Sequence, residues 1–292
     1  MKAAPFDYVR AGSLAEACAL LSNGGSDVKL IAGGQSLVPM MAMRLTRPRR
    51  LVDINEIAAL KFSAIGPGAA RPGACTRQCV IERDDALAAR VPLLRQALAW
   101  VGHAQTRNRG TVGGSLAHAD PAAELPLAAQ VLGATMKLVS TSGVRVVSAA
   151  EFFVGPLATA AAPDECLEEI RWPVWAGRRT GSAFVEVSRR HGDFAIAAAA
   201  AQVALDGNGR CERASFGLGG GGSTPRAFPD IARRLIGARL EEEVVQGAAR
   251  EAATGVDFFD DLHASAPYRR HLAAVLAARA LRAARERAES AQ

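Results

Sequence analysis

The chain has 292 residues, 49% of them hydrophobic and 22% charged, and its 35 basic and 29 acidic residues give a net charge of +6. These values exclude a disordered or fibrous protein, and the length predicts two or three subdomains with packed cores. Basic residues are spread along the sequence without a long block of one sign, so the charge gives little support to nucleic-acid binding.

The cysteines and the apolar segments indicate the compartment in which the protein works. The five cysteines lie at positions 18, 75, 79, 166 and 211 and form no Cys-x-x-Cys pair. Their number and spacing disfavour a disulfide scaffold, a structural zinc site or an iron–sulfur cluster in this chain. The N-terminus lacks the continuous apolar core of a signal peptide, and no apolar stretch reaches transmembrane length. We therefore expect a cytoplasmic protein without a membrane span.

Residues 1–58 are predicted to form a small α/β subdomain. Ser13 followed by Glu16 is typical of a helix N-terminus and predicts a helix over LAEACALL. We interpret VKLIAG as a buried strand that ends at Gly33 and Gly34, SLVPMMAMRL as a turn with a short helix, and RPRRLVDI as a second strand.

Residues 59–176 are predicted to form a second subdomain, in which helices precede strands. ACTRQCVIERDD leads into one helical stretch and PLLRQALAWVG forms another, because Val91, Leu94 and Leu98 fall on one helical face. Two β-rich runs, ATMKLVST and GVRVVSA, flank a hairpin turn at residues 142 and 143, and ECLEEIRWP is a further strand.

Residues 177–292 are predicted to form a C-terminal domain of a sheet and helices. Within it, GLGGGG from Gly217 to Gly222 satisfies the Gly-x-Gly-x-x-Gly pattern of dinucleotide-binding turns. Such a turn opens a helix, whereas Pro225 and Pro229 follow here, so we favour a loop that leaves a strand over a nicotinamide-binding fold. Three helical stretches end the chain, and the arginines of the last are expected on a solvated face or under a partner subunit.

Two motifs, each with two adjacent glycines and a hydroxyl residue, are the main indication of function. A double glycine allows a positive φ and lets two N–H groups approach a ligand where a Cβ would collide, and this suits phosphate oxygens. Two such turns can clasp one pyrophosphate; the alternative is two ligand-free connections between strand and helix. The residues expected to contact phosphate are Ile31, Ala32, Gly33, Gly34, Gln35, Ser36 and Leu37 in the first motif and Thr111, Val112, Gly113, Gly114 and Ser115 in the second.

Other side-chain chemistry is weakly represented. His118, Asp120 and Glu124 are close in sequence and carry metal-ligand atoms, but no further His or Cys follows at ligand spacing. We find no convincing Ser–His–Asp order, general acid/base carboxylate pair or P-loop lysine, so we predict no catalytic side chain and no metal site in this chain. A redox cofactor needs few reactive side chains, because it carries the chemistry itself.

The order and flanks of the motifs resemble a known family, the FAD-binding middle subunit of molybdenum hydroxylases. This family includes the carbon monoxide dehydrogenase medium chain and its xanthine dehydrogenase relatives. The segments that carry the resemblance are AGGQSLVPMM, RPRRLVDI, RNRGTVGGSLAHADPAAELP, GPLAT, SRRHGDFA and YRRHL, and they run through nearly the whole chain. The resemblance implies an α+β fold of the PCMH or vanillyl-alcohol-oxidase type, with a C-terminal domain of sheet plus helices and with FAD between the first two parts.

The resemblance also implies flavin contacts at Val101, Glu124, Leu167 and Phe184. Family members usually carry Asp at the position of Glu124, where it contacts the flavin, so glutamate keeps the charge and adds a methylene. Phe184 falls where members carry an aromatic residue near the isoalloxazine ring. Members often carry Lys at the position of Glu186, which is acidic in this chain.

The function implied by the resemblance is electron transfer. FAD in this chain would accept electrons from iron–sulfur clusters of a small subunit and pass them to an external acceptor, while a large subunit holds the molybdenum cofactor, in a dimer of heterotrimers. Two alternatives stay open: a self-sufficient FAD-dependent oxidase or reductase, and a cofactor-free basic binding or scaffold protein. We expect valine at Gly33 or Gly113 to remove FAD while leaving the fold largely intact.

Overall fold

The structure is a computed structural model that describes residues 2–175, 177 and 179–291. Its first part is a three-stranded parallel sheet in the order β1-β3-β2, with two helices between the strands. The elements are β1 (Asp7–Arg10), α1 (Leu14–Gly24), β2 (Val28–Ile31), α2 (Leu37–Ala42) and β3 (Arg50–Asp53). Short 3₁₀ turns follow at Gly25–Asp27 and Ala58–Leu60.

The predicted start of α1 is confirmed. The Ser13 hydroxyl accepts a hydrogen bond from the Glu16 backbone N–H at 3.1 Å, and the Glu16 carboxylate accepts one from the Gly12 N–H at 2.8 Å. The strand β1 was not predicted from the sequence, and the expectation that β2 is a buried strand is wrong for three of its four residues. Of the residues in β2 only Val28 is buried, because β2 is an edge strand of the sheet.

The second part combines a bundle of short helices with an antiparallel sheet in the order β4-β5-β10-β6-β7. Its elements are β4 (Ser63–Ile65), β5 (Ala69–Pro72), α3 (Gln78–Arg83), α4 (Asp85–Arg90), α5 (Pro92–Leu98), α6 (Ala104–Arg109), α7 (Val112–His118), α8 (Glu124–Leu132), β6 (Thr135–Ser140), β7 (Gly143–Ser148), α9 (Ala149–Phe152), β8 (Phe153–Gly155), β9 (Ala158–Thr159) and β10 (Cys166–Pro173). The predicted hairpin and the strand over ECLEEIRWP are confirmed. Leu94 and Leu98 of α5 are fully buried, as the helical pattern predicted, whereas Val91 is buried but precedes the first turn of the helix.

The third part is an antiparallel sheet in the order β11-β12-β13-β14, covered on one face by the long C-terminal helix. Its elements are β11 (Thr180–Val187), β12 (Ala197–Leu205), β13 (Cys211–Gly219), β14 (Arg226–Ala227), α10 (Pro229–Arg234), α11 (Glu242–Thr254) and α12 (Ala266–Ser290). As expected, the glycine-rich stretch after β13 is a loop and opens no helix.

The sheet of the third part lies between two cores, which explains the alanine run in β12. Ala197, Ala199 and Ala201 belong to the core under α12, whereas Ala198 and Ala200 belong to the core of the second part. Small side chains let helix and sheet approach closely; a Cβ on Gly181 of β11 would overlap the Ala284 carbonyl oxygen of α12. The sheet therefore joins the third part to the second over a continuous apolar surface.

The expectation of a solvated basic face on α12 is only partly right. Arg269 is 2% exposed and donates hydrogen bonds to the carbonyl oxygens of Ile196 and Gly220, and Arg287 donates to the carbonyl oxygen of Ser182. These arginines tie the helix to the sheet and its loops, a role that helical spacing alone does not reveal. In the described ranges, no helix combines the length and the apolarity that crossing a membrane requires.

Candidate functional site

The loop between β2 and α2 presents a row of backbone donors. The N–H groups of Gly33, Gly34, Gln35, Ser36 and Leu37 donate to no described residue. Gly34 has a φ of +70°, which a residue with a side chain rarely adopts, and this bends the row around one side of the loop. Successive N–H groups in such a bend form an anion-binding concavity. We call residues 32–37 the donor loop.

The donor loop rests directly on Arg109 and Gly110, the two residues that precede the second glycine motif. A Cβ on Gly33 would lie 2.8 Å from the Cα of Gly110 and closer still to the Arg109 carbonyl oxygen. Only glycine permits this approach, because both obstacles are backbone atoms. The structure therefore brings together two motifs that lie 80 residues apart in the sequence, as the clasp hypothesis requires.

The second motif differs from the expectation in its backbone. Gly113 and Gly114 lie in the first turn of α7 and have no positive φ, and Gly33 has none either. Their N–H groups already have acceptors, at 2.9 Å in the Ala74 carbonyl oxygen and at 3.0 Å in the Thr111 hydroxyl. The expectation that each double glycine supplies positive φ and free N–H groups is thus wrong for the second motif.

Gly113 is required there for packing, since a Cβ would lie 2.5 Å from the Cβ of Ala74. The groups that the second motif can still offer to a ligand are hydroxyls. Thr111 accepts from Gly114 and keeps its own O–H proton, and the half-buried Ser115 adds another hydroxyl.

Two side chains that were not predicted from the sequence connect the donor loop to the segment just before the second motif. Asn55 donates to the Ala32 carbonyl oxygen at 2.7 Å, and Arg77 donates both to the Asn55 side-chain oxygen at 2.8 Å and to the Arg109 carbonyl oxygen. The latch, Asn55 with Arg77, fixes the donor loop against the α6–α7 connection. The only signal in the sequence was a polar residue just after the strand over RPRRLVDI.

Asp53 in turn holds the latch in place. Its carboxylate accepts hydrogen bonds from the Asn55 backbone N–H at 2.8 Å, from the Asn55 side chain at 2.7 Å and from the Tyr8 hydroxyl. Burial opposes ionisation of Asp53, but these hydrogen bonds outweigh it and keep the pKa of the carboxyl below its usual value. Asp53 therefore stays ionised as an acceptor at neutral pH.

The four residues expected to contact the flavin are all buried. Val101, Leu167 and Phe184 belong to the continuous core of the second part, which Phe184 enters from β11 of the third part. Glu124 is the first residue of α8. The structure thus gathers the three apolar residues around one core, and their contacts with a cofactor stay predictions.

Glu124 belongs to a buried acidic pair with Glu186 of β11. Both residues are only 6% exposed. Neither carboxylate oxygen of Glu186 has a hydrogen-bond partner among the described residues. Burial, with a smaller effect from Asp120, raises the pKa of Glu124 to about 7. Burial, followed by the charge of Glu124, raises the pKa of Glu186 to about 9. Unsatisfied buried polar atoms of this kind suit a site that a ligand completes.

Comparison with protein families defines the class. Residues 4–175 match the family described as the FAD binding domain in molybdopterin dehydrogenase, and residues 182–284 match the CO dehydrogenase flavoprotein C-terminal domain. The free donors of the donor loop and the orphaned carboxyl of Glu186 fit a large polar cofactor with phosphates at one end. The protein is a flavoprotein oxidoreductase, and its cofactor is FAD.

Individual relatives narrow the class to one family. The chain is 41% identical over 288 residues to the 6-hydroxypseudooxynicotine dehydrogenase complex subunit alpha of Paenarthrobacter nicotinovorans, covering 99% of this chain and 97% of that protein. It is 35% identical to the carbon monoxide dehydrogenase medium chain of Afipia carboxidovorans, with 98% of each covered. A carbon monoxide dehydrogenase structure from Hydrogenophaga pseudoflava matches with a TM-score of 0.95 at 35% identity, over 98% of this chain and 99% of that one.

The chain belongs to the FAD-binding medium subunits of molybdenum hydroxylases, the family that includes the carbon monoxide dehydrogenase medium chain. The resemblance inferred from the motifs is therefore confirmed, together with the α+β fold and the FAD cofactor.

Proposed function

We propose that this chain is the electron-transfer subunit of a molybdenum-containing hydroxylase or dehydrogenase. It accepts electrons from iron–sulfur clusters of a small partner subunit and passes them to an external acceptor. Bound FAD supplies the redox chemistry by taking up and releasing electrons, and the residues of this chain bind it, orient it and exclude water.

The observation that carries the proposal is the donor loop latched onto the second glycine motif. A pyrophosphate needs several donors at close range, and neutral N–H groups supply them without a buried charge that must be desolvated. In this proposal the N–H groups of Gly33 to Leu37 take phosphate oxygens, while Ile31 and Ala32 form the base of the loop. Thr111 and Ser115 add hydroxyl donors, and Val112, Gly113 and Gly114 form the helical wall behind them.

The flavin end of the cofactor is proposed to lie toward the third part. Val101, Leu167 and Phe184 supply apolar surface that excludes water, and Glu124 supplies a polar contact at the start of α8. FAD would lie between domains 1–58 and 59–176, with domain 177–292 closing the flavin end. In this arrangement the chain needs no reactive side chain of its own.

The partner subunits are proposed from the names of the relatives. One relative is called subunit alpha of a dehydrogenase complex and another a medium chain, which supports assembly with further chains. We propose a large subunit that holds the molybdenum cofactor and a small subunit that holds iron–sulfur clusters, assembled as a dimer of heterotrimers in the cytoplasm.

Purification of the tagged full chain from the cell that produces it, with metal analysis, tests this assembly. We expect two further chains to co-purify, with molybdenum and iron in the complex and flavin on this chain. A chain that carries flavin but purifies alone, without molybdenum or iron, would contradict the assembly and favour a self-sufficient flavoprotein.

A further inference from the structure

The loop between β13 and β14, residues 220–225, contains the end of the GLGGGG stretch and has no part in the proposed FAD site. The backbone N–H groups of Gly221, Gly222, Ser223 and Thr224 donate to no described residue. Gly221 and Gly222 are buried. Buried backbone N–H groups are almost always paired, so a run of unpaired ones marks a place where an acceptor from outside the chain can bind.

The β13–β14 loop is held in place by close packing. Gly220 has a φ of +86° and turns the chain out of β13. A Cβ on Gly221 would lie 2.7 Å from a ring carbon of Phe258, and a Cβ on Gly222 would lie 2.9 Å from a methyl carbon of Val256. The glycines therefore fix the loop against the segment after α11, so its N–H groups are already ordered before a ligand binds.

The second half of this loop lines a cleft of about 950 Å³ between the second and third parts. Gly222, Ser223 and Thr224 form part of its lining, and so do the end of α8 and the start of α9. Ser223 and Thr224 add two hydroxyl groups to the backbone donors. None of the residues expected to contact FAD lines this cleft, so it is a separate site.

Basic side chains outnumber acidic ones in the lining of the cleft. The charged lining residues are Arg213, Arg226, Arg233, Asp230 and Asp257. Arg233 pairs with Asp230 at 3.1 Å, and Arg226 donates one hydrogen bond to a backbone carbonyl oxygen at 2.7 Å. Arg213 has no carboxylate partner in the part of the chain that the structure describes. Its positive charge is therefore available to an anion in the cleft.

The ring of Trp175 holds Arg213 at the cleft. The Arg213 guanidinium lies 4.0 Å from the centroid of this ring, and stacking of this kind leaves the N–H groups at the guanidinium edge free to donate. Trp175 is 8% exposed, and its indole Nε1 has no hydrogen-bond partner among the described residues. The same cleft is lined by apolar side chains, including Phe153, Ile236 and Val256. It thus offers donors for an anion together with apolar surface.

We propose that this cleft binds an organic phosphate, with the phosphate group on the β13–β14 loop and Arg213 and the organic part on the apolar lining. Successive N–H groups, two hydroxyls and one guanidinium suit the several oxygens and the charge of a phosphate monoester. The cleft has the size of a small-molecule site, about 300–1,000 Å³, and a phosphate ion alone would fill little of it. The inference is independent of the partner subunits and of the electron acceptor.

Calorimetric titration of the FAD-loaded full chain tests the proposal. Bound FAD occupies the donor loop, so a phosphate added afterwards cannot bind there. The probes are adenosine monophosphate, glucose 6-phosphate and inorganic phosphate, with adenosine and glucose as controls that lack the phosphate. We expect at least one of the two esters to bind at a single site and more tightly than inorganic phosphate, and neither control to bind.

Two variants assign the binding to this cleft. Arg213→Met should weaken binding of the ester by about tenfold or more, because it removes a hydrogen bond to a charged group. Thr224→Val keeps the shape of the side chain, loses the hydroxyl and should weaken binding by about threefold. Arg239→Met is the matched control, because Arg239 is exposed and lies outside the cleft. All three variants should keep their FAD.

Hydrogen exchange of the backbone amides is a second readout. The amides of residues 221–224 should exchange more slowly when the ester is bound, because they then have an acceptor, while exchange at residues 33–37 should stay the same. Failure of both esters to bind, or natural affinity in both cleft variants with unchanged exchange at residues 221–224, would overturn the inference. Inorganic phosphate that binds as tightly as the esters would overturn the assignment of an organic ligand. In each case FAD binding would persist, and the proposed function would stand.

Discussion

Replacement of Gly33 by alanine tests whether the donor loop is seated on backbone. The new Cβ would lie 2.8 Å from the Cα of Gly110, whereas carbon atoms pack at about 3.5–4.0 Å, so the loop must move by about 1 Å. The opposing segment cannot yield easily. The Gly110 N–H donates to the Thr106 carbonyl oxygen at 2.7 Å, and the Gly110 carbonyl oxygen accepts from the Gln78 N–H at 2.9 Å.

The expected loss in free energy of unfolding has two sources, overpacking at Gly33 and damage to the latch. Forcing one extra carbon into a packed contact costs about 1–3 kcal/mol, and moving the loop breaks the 2.7 Å hydrogen bond from Asn55 to the Ala32 carbonyl oxygen, worth about 1 kcal/mol. The total is about 2–4 kcal/mol, which corresponds to a fall in melting temperature of about 4–16 °C at 2–4 °C per kcal/mol. FAD affinity should fall as well, because the donors no longer converge.

Thermal unfolding of the FAD-free chain, followed by FAD titration, measures both effects. Gly68→Ala is the matched control, because no atom lies within 4 Å of its added Cβ and its φ is not positive; its free energy of unfolding should change by less than about 0.5 kcal/mol. A Gly33→Ala chain with the natural melting temperature and the natural FAD affinity would refute the reasoning. The same geometry corrects the expectation that valine at Gly33 or Gly113 spares the fold.

Three further predictions concern the latch, the acidic pair and one surface helix. Asn55→Ala and Arg77→Met should each weaken FAD binding. The double variant should bind FAD only slightly more weakly than either single variant, because both residues belong to one hydrogen-bonded unit. Additive losses in a double-mutant cycle would argue against the latch. The melting temperature of the FAD-free chain should fall as the pH rises from 5 to 9. Burial raises the pKa values of Glu124 and Glu186 to about 7 and about 9, so the native state binds more protons there than the unfolded chain does. Gln at both positions should flatten this dependence on pH, and an unchanged slope would count against the burial of the pair. Gly247→Ala should raise the free energy of unfolding, measured by urea denaturation, by about 0.5–1 kcal/mol. Gly247 lies inside α11, and no atom lies within 4 Å of the Cβ that alanine would add. A loss of stability would show an unrecognised contact there.

Patterns along the chain predicted the elements that have strong local signals. The cap at Ser13, the helical spacing of Leu94 and Leu98, and the prolines after the GLGGGG stretch each reflect physics within a few residues, and each prediction is confirmed. The short strand β1 escaped because it is an exposed strand of four residues without alternation. The sequence of β1 therefore offered no alternation of apolar and polar residues from which to predict a strand.

The site was less predictable because its residues acquire their roles through tertiary contacts between distant segments. The two glycine motifs look alike in sequence, yet of the two only the donor loop has free N–H groups. The N–H groups of the α7 motif donate to the carbonyl oxygens of Ala74 and Thr76 and to the Thr111 hydroxyl. The latch depends on Asn55 and Arg77, which meet only when the first part packs on the second. The isolation of Glu186 likewise follows from which elements surround β11, and its sequence shows only an acid within an apolar run.

The central claim, that this chain binds FAD through the donor loop, is tested most directly by titrating the purified full chain with FAD. Visible absorption and melting temperature should be recorded together, alongside Gly33→Ala. The account predicts a bound-flavin spectrum, an equimolar endpoint and a melting temperature that rises with FAD concentration, with all three weakened in the variant. A chain that stays colourless and unshifted, both alone and when purified with its partners, would contradict the account and favour a cofactor-free scaffold protein.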